Sequence, residues 1–332
     1  MSLVRWGIVS TAKIGTEKVI PGMLKSRELQ VAAIASRELA SAQAAATRLG
    51  IPTAHGSYEA LLADPSIEAI YNPLPNHLHV PVTLAAARAG KHVLCEKPFA
   101  LTAADLEALR PHAGQVHIRE AFMVRHHPQW TAVRDEVRAG AIGTLRFLHV
   151  PFCYFNADPA NIRNQPDIGG GALYDIGCYA VVAGRWFFEA EPQRVIAAID
   201  RDPVMKTDRT SSGLMDFGDG RQLAFTVSTQ SAPYQRIQLV GTSGRIEIEI
   251  PFNAPPDVPT RYFVDAAPTL DGRGIRTVTL PVCDQYQLQA EAFSRAVRGE
   301  APSAAALDDA VRNMRILDAL YASERSGRFE AP

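Results

Sequence analysis

Two stretches of the chain carry side chains suited to acid–base chemistry on a small molecule. The first is "GKHVLCEKPFA", in which Lys97 ends a largely apolar run and precedes Pro98. The proline restrains the lysine backbone to an extended conformation. A lysine at a partly desolvated strand end is where a shifted pKa or a substrate contact is expected. The alternative is a lysine that merely leaves a sheet, and the residues alone do not choose between them.

The second stretch is "NQPDIGGGALYDIGCYAV", in which Asp175 and Tyr179 are four residues apart. On a helix they would share one face, and the glycines before them would permit a close backbone approach to a ligand. A phenol has an unperturbed pKa of roughly 10, so it needs a nearby ammonium to act as a base near neutrality. Asp175 could fix Lys97 by a charged hydrogen bond and complete a Lys–Asp–Tyr relay. A buried structural tyrosine is the alternative.

A cofactor for such chemistry is suggested by "GIVSTAKIG", residues 7–15, directly after an apolar run. Compared with the dinucleotide fingerprint G-x-G-x-x-G, the stretch from Ser10 to Gly15 keeps only the third glycine, so a plain strand-to-helix turn is the alternative. Ser36 and Arg37 follow the second strand, where an acidic residue would favour NAD. A hydroxyl and a guanidinium suit the 2'-phosphate of NADP, and NAD stays possible. The Glu38 carboxylate would repel that phosphate unless it faces solvent.

The elements that position these residues predict two domains. Apolar runs at "LVRWGIVS", "VAAIAS", "EAIYNPLP", "KHVLCEK" and "QVHIREAF" alternate with helical stretches such as "ELASAQAAATRLG" and "LTAADLEALRPH". This alternation predicts a doubly wound parallel Rossmann sheet over 1–122. After it, "LRFLHVPFCYF", "QRVIAAID", "QLAFTVSTQ", "RIQLVG", "RIEIEI" and "RTVTLPV" predict a C-terminal α+β domain, 123–332, with a large open, mostly antiparallel sheet. Two terminal helices, from "QYQLQAEAFSRAVRG" and "SAAALDDAVRNMRILDALYASERSG", could pack back on the first domain.

Composition narrows the partners to small molecules. The 332 residues are 47% hydrophobic and 21% charged, with a net charge of -1, which offers no field for nucleic acid or a membrane surface. No apolar stretch approaches the ~20 residues of a membrane span, and no leader is recognisable, so a cytoplasmic protein is expected. The four cysteines show no CxxC spacing and are expected to be reduced core thiols. No metal site is expected: His126 and His127 have no carboxylate or cysteine beside them.

These motifs resemble the Gfo/Idh/MocA oxidoreductase family. The matching stretches are "GIVSTAKIG", "NPLPNHLH", "GKHVLCEKPFA", "REAFMVRHHPQ" and "GGGALYDIGCYA", within residues 6–182 and in the family's order. The resemblance is nearest to the NADP-dependent D-xylose and glucose 1-dehydrogenases and the dihydrodiol dehydrogenases, and it implies a cis peptide before Pro98. It also implies a catalytic role for Lys97, a positioning role for Asp175 and proton transfer by Tyr179. The implied cofactor contacts are Ser10, Thr11, Ala12, Ile14, Ser36, Arg37, Leu74, Pro75, Asn76, His79, Glu96 and Lys97.

The residues and the resemblance together predict an NADP-dependent dehydrogenase acting on a CH–OH group of an aldose sugar. The substrate is expected near Lys97, Asp175 and Tyr179, with weaker expectations for hydroxyl contacts from Tyr154, Asn161, Arg163 and Asn164. A trans-dihydrodiol dehydrogenase is the alternative within this class. From other classes, a non-catalytic sugar or NADP sensor is opposed by the presence of the lysine and tyrosine, and an NAD-retaining glycoside hydrolase by Arg37. The open sheet needs cover on its second face, which predicts a homodimer.

Overall fold

The structure is a computed structural model that describes residues 3–269, 271–300 and 306–332. Contacts between Cα atoms divide the chain into two compact units. Unit 1 comprises residues 1–126 and 284–311, and unit 2 comprises 127–283 and 312–332. The division after residue 126 lies four residues beyond the expected boundary, because the single turn Met123–His126 packs on the helix that begins at Gln285.

Unit 1 contains a six-stranded parallel sheet with the order β3-β2-β1-β4-β5-β6. Strands buried on both faces explain the continuous apolar runs, since helices cover a parallel sheet on each side. The strands are β1 (Val4–Val9), β2 (Leu29–Ala35), β3 (Thr53–His55), β4 (Ala69–Asn72), β5 (His92–Cys95) and β6 (Ile118–Glu120). The helices between them are α1 (Ile20–Met23), α2 (Leu39–Leu49), α3 (Tyr58–Ala63) and α4 (His79–Arg88). The predicted Rossmann sheet is confirmed.

The stretch "ELASAQAAATRLG" forms the predicted helix, α2, but the stretch before β6 does not form an α-helix. Gly50 ends α2 in the left-handed conformation, with φ of 70°. The helix predicted from "LTAADLEALRPH" is a 3-10 helix over Ala104–His112. Pro111 lies inside it and supplies no amide hydrogen, which disfavours a regular α-helix there.

Unit 2 is built on a nine-stranded sheet, covered on one face by α5 (Pro128–Arg138) and α6 (Cys178–Phe188). The main order is β15-β14-β13-β12-β7-β10-β9-β8, with β11 paired to β7, and among the strands of the described ranges only the β7–β10 pair of this sheet is parallel. The mostly antiparallel sheet is thus confirmed. The strands are β7 (Leu145–Phe155), β8 (Arg194–Arg201), β9 (Asp208–Asp216), β10 (Gln222–Ser228), β11 (Gln230–Gln235), β12 (Ile237–Gly241), β13 (Arg245–Ile248), β14 (Thr260–Asp265) and β15 (Ile275–Leu280).

Strand β7 shows how the sheet faces differ. Leu148, Val150 and Phe152 are buried, whereas the residues between them are exposed or half-buried. The sequence analysis identified this strand but missed β9, β11 and β14. Strand β9 has small residues at buried positions, and a Cβ on Gly213 would lie 2.6 Å from the Phe225 ring, which fills the space instead. The apolar side chain that fills the space beside Gly213 therefore belongs to the neighbouring strand β10.

The last helices are α7 (Gln285–Val297) and α8 (Ala306–Ser326). Helix α7 lies in unit 1, where the Trp6 ring is 5.2 Å from the Phe293 ring and the Trp6 indole N–H donates to the Ser294 hydroxyl at 3.1 Å. The predicted start of the last helix at 303–305 lies outside the described residues. The four cysteines, all within the described ranges, form no disulfide. Cys95 and Cys178 are buried as expected, whereas Cys153 and Cys283 are only partly buried. Across the described ranges, no helix has the length and apolar character needed to cross a membrane.

Candidate active site

The turn after β1 keeps a shape that glycine usually supplies, although serine stands there. Ser10 has φ of 72°, in the left-handed region that most side chains avoid. Its Oγ accepts a hydrogen bond from the Ala12 N–H at 3.2 Å. Strained residues of this kind persist where the surrounding structure holds them, and they cluster at ligand sites. The backbone therefore makes a tight turn at the carboxyl end of β1 without the first two glycines of the fingerprint.

A π-turn, Gly15–Val19, follows and leads into α1. The Thr16 N–H donates to the Ala12 carbonyl at 3.0 Å, which joins this turn to the residues predicted to bind the cofactor. A Cβ on Gly15 would lie 3.6 Å from Pro73 and 3.7 Å from Tyr71, which are ordinary contact distances. Helix packing thus does not require the third glycine. Thr11, Ala12 and Ile14 are each partly exposed on the turn.

The end of β2 places the predicted phosphate-binding residues at the surface. The Ser36 N–H donates to the His55 carbonyl at 3.1 Å, so β2 and β3 end side by side. Arg37 is exposed, and its charge acts on the Tyr58 phenol. Glu38, the residue that could oppose a phosphate, begins α2 without a capping hydrogen bond and is exposed. The guanidinium is therefore available to a ligand at this edge.

Asn72, at the end of β4, organises the loop that contains Leu74, Pro75 and Asn76. Its amide donates to the His79 carbonyl at 3.1 Å and to the Thr83 hydroxyl at 3.3 Å, and its oxygen accepts from the Leu74 N–H at 3.3 Å. The side chain is fully buried. Sequence analysis did not select Asn72, although an asparagine after an apolar strand is a signal for this kind of loop-capping.

His79, which was predicted as a cofactor contact, is held by two backbone carbonyls inside unit 1. The side chain is 1% exposed, with Nδ1 2.8 Å from the Pro98 carbonyl oxygen and Nε2 2.6 Å from that of Leu74. Burial lowers its pKa to about 4, against the effect of both carbonyls. His79 therefore joins the loop after β4 to the loop after β5 from within the protein.

Lys97 lies half-buried directly after β5, and the Lys97–Pro98 peptide is cis, which confirms that expectation. The preceding Glu96 accepts a hydrogen bond from the buried Tyr71 hydroxyl at 2.8 Å. A second phenol, Tyr286 of α7, lies near both: burial and the Glu96 charge raise its pKa, and the Lys97 charge opposes the rise. Two tyrosines that the sequence analysis missed thus surround Glu96 and Lys97.

In unit 2 the three glycines fold the chain back on residues 161–165. The Gly171 N–H donates to the Arg163 carbonyl at 2.8 Å, and the Gly170 N–H to the Gln165 carbonyl at 2.9 Å. A Cβ on Gly170 would lie 2.6 Å from the Arg163 carbonyl oxygen, so a larger residue would open the loop. The glycines serve close packing of backbone against backbone, which places Arg163 beside the helix that follows.

The weaker substrate expectations divide into two pairs. Asn161 caps its own turn by accepting from the Arg163 N–H at 3.0 Å. Asn164 is 3% exposed and donates to the Asp158 carbonyl at 2.8 Å, so its amide closes the loop, and a substrate contact by this residue stays a prediction. Tyr154 and Arg163, in contrast, meet at Asp175.

Asp175 lies in a π-turn, Leu173–Gly177, that leads directly into α6. Its Oδ2 accepts from the Tyr154 hydroxyl at 2.5 Å and from Arg163 Nε at 3.0 Å. The Asp175 charge raises the pKa of the Arg163 guanidinium, and Tyr154 and Tyr179 act in the same direction. The predicted partner of Asp175 was Lys97; within unit 2 the carboxylate is held by an arginine and a phenol, and that arginine's charge attracts a tyrosinate at Tyr179.

Tyr179 is on the first turn of α6 and 5% exposed. Its ring packs against Phe152 and Phe252, with centroids 5.8 and 5.3 Å away. These contacts fix the position of the ring, and the hydroxyl is the group of this side chain that can transfer a proton. Unit 2 thus brings together Tyr154, Arg163, Asp175 and Tyr179, whereas unit 1 gathers the predicted cofactor residues at the carboxyl ends of its parallel strands.

Sequence comparisons agree with this geometry. Residues 4–126 match the model of an oxidoreductase family with an NAD-binding Rossmann fold. The fold and this match define the protein as an oxidoreductase of the dinucleotide-binding class. Residues 130–247 match the Gfo/Idh/MocA C-terminal domain. The chain belongs to the Gfo/Idh/MocA oxidoreductase family, which confirms the resemblance.

Three similar proteins illustrate the range of the family. An uncharacterized oxidoreductase, ORF334 of Rhizobium meliloti, is 47% identical over 99% of both chains. D-xylose 1-dehydrogenase (NADP(+)) 2 of Haloferax volcanii is 40% identical, over 97% of this chain and 98% of its own. The crystal structure of KijD10, a 3-ketoreductase from Actinomadura kijaniata in complex with NADP and TDP-benzene, has a TM-score of 0.90 at 28% identity, covering 97% of this chain and 98% of that one. Lysine and tyrosine variants of that ketoreductase have also been solved.

Proposed function

We propose that this protein is an NADP-dependent sugar dehydrogenase that transfers hydride between the nicotinamide and a hydroxyl-bearing carbon of an aldose. The observation that carries the proposal is the arrangement in which Tyr154 and Arg163 fix Asp175, four residues before Tyr179. A phenol held beside an ion pair is suited to moving a hydroxyl proton. Similarity to a xylose dehydrogenase over nearly the whole chain supports an aldose as substrate.

In this proposal the side chains have separate tasks. Tyr179 accepts the proton of the substrate hydroxyl, and the Arg163 charge favours the phenolate form that does so. Lys97 contributes positive charge that stabilises the developing alkoxide. Bound NADP would supply the nicotinamide ring, which is the hydride acceptor. Asp175 keeps Arg163 in place through the 3.0 Å ion pair.

The residues at the end of β2 fit NADP. Ser36 is partly exposed and Arg37 exposed, and the Glu38 backbone N–H donates to the Ser36 hydroxyl at 3.5 Å. A hydroxyl and a guanidinium can bind the dianionic 2'-phosphate, whereas the ribose diol of NAD would normally meet a carboxylate here. The tight turn at Ser10 leaves the neighbouring backbone N–H groups at the strand end, where a pyrophosphate is bound in this class of fold.

Replacing Arg37 by glutamine should weaken NADP selectively. A charged hydrogen bond is worth about 1.5–3 kcal/mol, so KM for NADP should rise roughly 10- to 100-fold while KM for NAD stays within about twofold. Initial rates with each cofactor measure this. Arg48→Gln, at an exposed arginine near the end of α2, is the control and should change neither value. An equal loss with both cofactors would contradict a role in phosphate recognition.

The reaction itself is tested by following NADPH absorbance with a panel of aldoses, inositols and cyclic trans-diols. NADPH formation with an aldose supports the proposal and identifies the substrate class. Oxidation of the cyclic diols alone would favour a trans-dihydrodiol dehydrogenase. Tight NADP binding without turnover of any substrate would favour a sensor. Glycoside cleavage with cofactor retained through purification would favour the hydrolase class.

We also propose that two chains pair through the uncovered face of the nine-stranded sheet. Phe147 and Phe155 of β7 are 46% and 67% exposed, and Tyr234 of β11 is 51% exposed. Because residues paired across strands share a face, the pairing of Tyr234 with Cys153 puts all three rings on one side. Exposed aromatic side chains on a broad sheet are typical of protein interfaces. Sedimentation velocity tests this, since a monomer at micromolar concentration would contradict it.

A further inference from the structure

Asp208, the first residue of β9, lies in unit 2 and has no part in the reaction described above. Its side chain is buried, and both carboxylate oxygens accept hydrogen bonds. Oδ2 accepts from the Leu173 N–H at 2.6 Å and from the Ser211 hydroxyl at 3.0 Å, and Oδ1 accepts from the Tyr321 hydroxyl at 3.2 Å. Burying a carboxylate costs free energy that hydrogen bonds must offset, so a buried aspartate calls for a specific role.

The Asp208 carboxylate binds the start of the turn that contains Asp175. Leu173 is the first residue of this π-turn, and Ala172 before it provides no side-chain cap. Asp208 therefore supplies from β9 the acceptor that a capping residue would supply locally. Gly171 has φ of 124°, and a Cβ there would lie 1.8 Å from Asp208 Oδ1. The glycine thus leaves room for the carboxylate, and its carbonyl accepts from the Asp175 N–H at 3.0 Å.

We propose that Asp208 is a positioning residue: its carboxylate attaches the turn Leu173–Gly177 to the sheet and so fixes Asp175 and Tyr179 for proton transfer. This inference rests on the proposed function. The hydrogen bond from Leu173 is charge-assisted while the carboxylate is ionised, and such bonds are about twice as strong as neutral ones. Because β9 is an inner strand of the sheet, the attachment point is rigid.

Protonation of Asp208 weakens this attachment in an accessible pH range. Burial raises the pKa of the Asp208 carboxyl to about 6, although the bonds from Leu173, Ser211 and Tyr321 oppose the rise. The other groups that face it do not titrate there: burial and the Asp208 charge raise the pKa of Tyr321. Arg201 of β8, which also senses the Asp208 charge, is paired with Glu324 of α8 at 2.6 Å. The Tyr174 ring lies 5.0 Å from that of Tyr321.

Ionisation of Asp208 lowers the free energy of unfolding but strengthens the attachment of the turn Leu173–Gly177. A carboxyl whose folded pKa is raised from 3.8 to about 6 contributes stability that is fully present below pH 3.8 and lost as the pH rises through about 6. At pH 8 the ionised side chain therefore lowers the free energy of unfolding, yet this is the form that binds the Leu173 N–H most strongly. Retaining such a group is consistent with a role in function rather than in stability.

Asp208→Asn separates the two roles, since the amide keeps the shape and removes the charge. At pH 8 we expect kcat to fall about 5- to 30-fold, as a small loss of orientation does, with KM for NADP unchanged and the melting temperature equal or higher. In the native protein kcat should decline below about pH 6, where Asp208 becomes protonated, and the variant should not show this decline. Asp216→Asn, at the other end of β9, is the matched control. The Gly218 N–H and Arg194 lower the pKa of Asp216, so its loss should lower stability at pH 8 and leave kcat unchanged.

Hydrogen exchange of the peptide spanning 172–179 provides a readout without substrate. We expect at least threefold faster exchange in Asp208→Asn than in the native protein or Asp216→Asn at pH 8. Native exchange rates with normal kcat and an unchanged acid limb would overturn the proposal while the dehydrogenase function stands. An inactive native protein would remove the proposed function, but faster exchange in the variant would still establish the attachment. A parallel fall in kcat and melting temperature would show a purely structural role and overturn the proposal.

Discussion

Replacing Tyr179 by phenylalanine is expected to lower kcat by about 10²- to 10⁴-fold, the usual contribution of a general acid–base group. The substitution removes only the hydroxyl. The ring contacts with Phe152 and Phe252 remain, so the fold should be retained. Because Tyr179 belongs to unit 2, NADP binding to the strand ends of unit 1 should not change. Rapid-mixing rates and a calorimetric Kd for NADP measure the two effects separately.

The matched control is Tyr262→Phe, at another buried tyrosine of unit 2, whose hydroxyl donates to Glu136 at 3.3 Å. Both variants lose one phenolic oxygen from a buried ring, so their melting temperatures should be comparable. Only the Tyr179 variant should lose turnover. A Tyr179 variant with more than a tenth of native kcat would show that another group moves the proton.

Lys97→Met should lower kcat by about 10²- to 10³-fold, because it removes a positive charge that stabilises a developing oxyanion. Methionine keeps an unbranched side chain, so the half-buried stem still fills its space after β5. We propose that the Lys97 charge also favours the Tyr179 phenolate, so the loss should diminish as the pH rises and the phenolate forms without that charge. Measuring kcat from pH 6 to 10 tests this dependence.

Lys18→Met provides the comparison for Lys97, since Lys18 is exposed on the π-turn after the first strand. It should retain native kcat at every pH. If the Lys97 variant kept native kcat with only a raised KM, the lysine would bind substrate without contributing to the chemical step.

Periodicity made the architecture predictable, because a buried parallel strand and a half-covered antiparallel strand leave different patterns of apolar residues. Strand β7 has the predicted bounds, and α2 lies within the predicted helical stretch. Strand β9 was missed because the buried Ser211 and the half-buried Gly213 carry no apolar side chain, and the Phe225 ring of the next strand fills the space beside Gly213. A strand whose apolar volume comes from its neighbour leaves no periodic signal of its own.

Residues with chemically reactive side chains could be predicted from the sequence. Residues that hold the loops of the candidate site by hydrogen bonds were harder to predict. The association of Asp175 with Arg163 could not be read from the chain, because it depends on how the three glycines fold back. His79 was predicted as a cofactor contact from the family resemblance and Asn164 as a substrate contact from its place before the glycines, and the structure shows that each bonds to backbone carbonyls. Polar residues that hold loops and polar residues that hold ligands have the same composition, and only burial separates them.

The return of α7 to unit 1 has a consequence for the order in which the chain can fold during synthesis. Trp6 leaves the ribosome nearly 290 residues before Phe293 and Ser294, the residues that its indole contacts. The core around β1 therefore stays open until α7 has been translated, and a nascent chain ending near residue 126 exposes an unfilled apolar surface. Until α7 has been made, this surface of unit 1 is of the kind that chaperones shield.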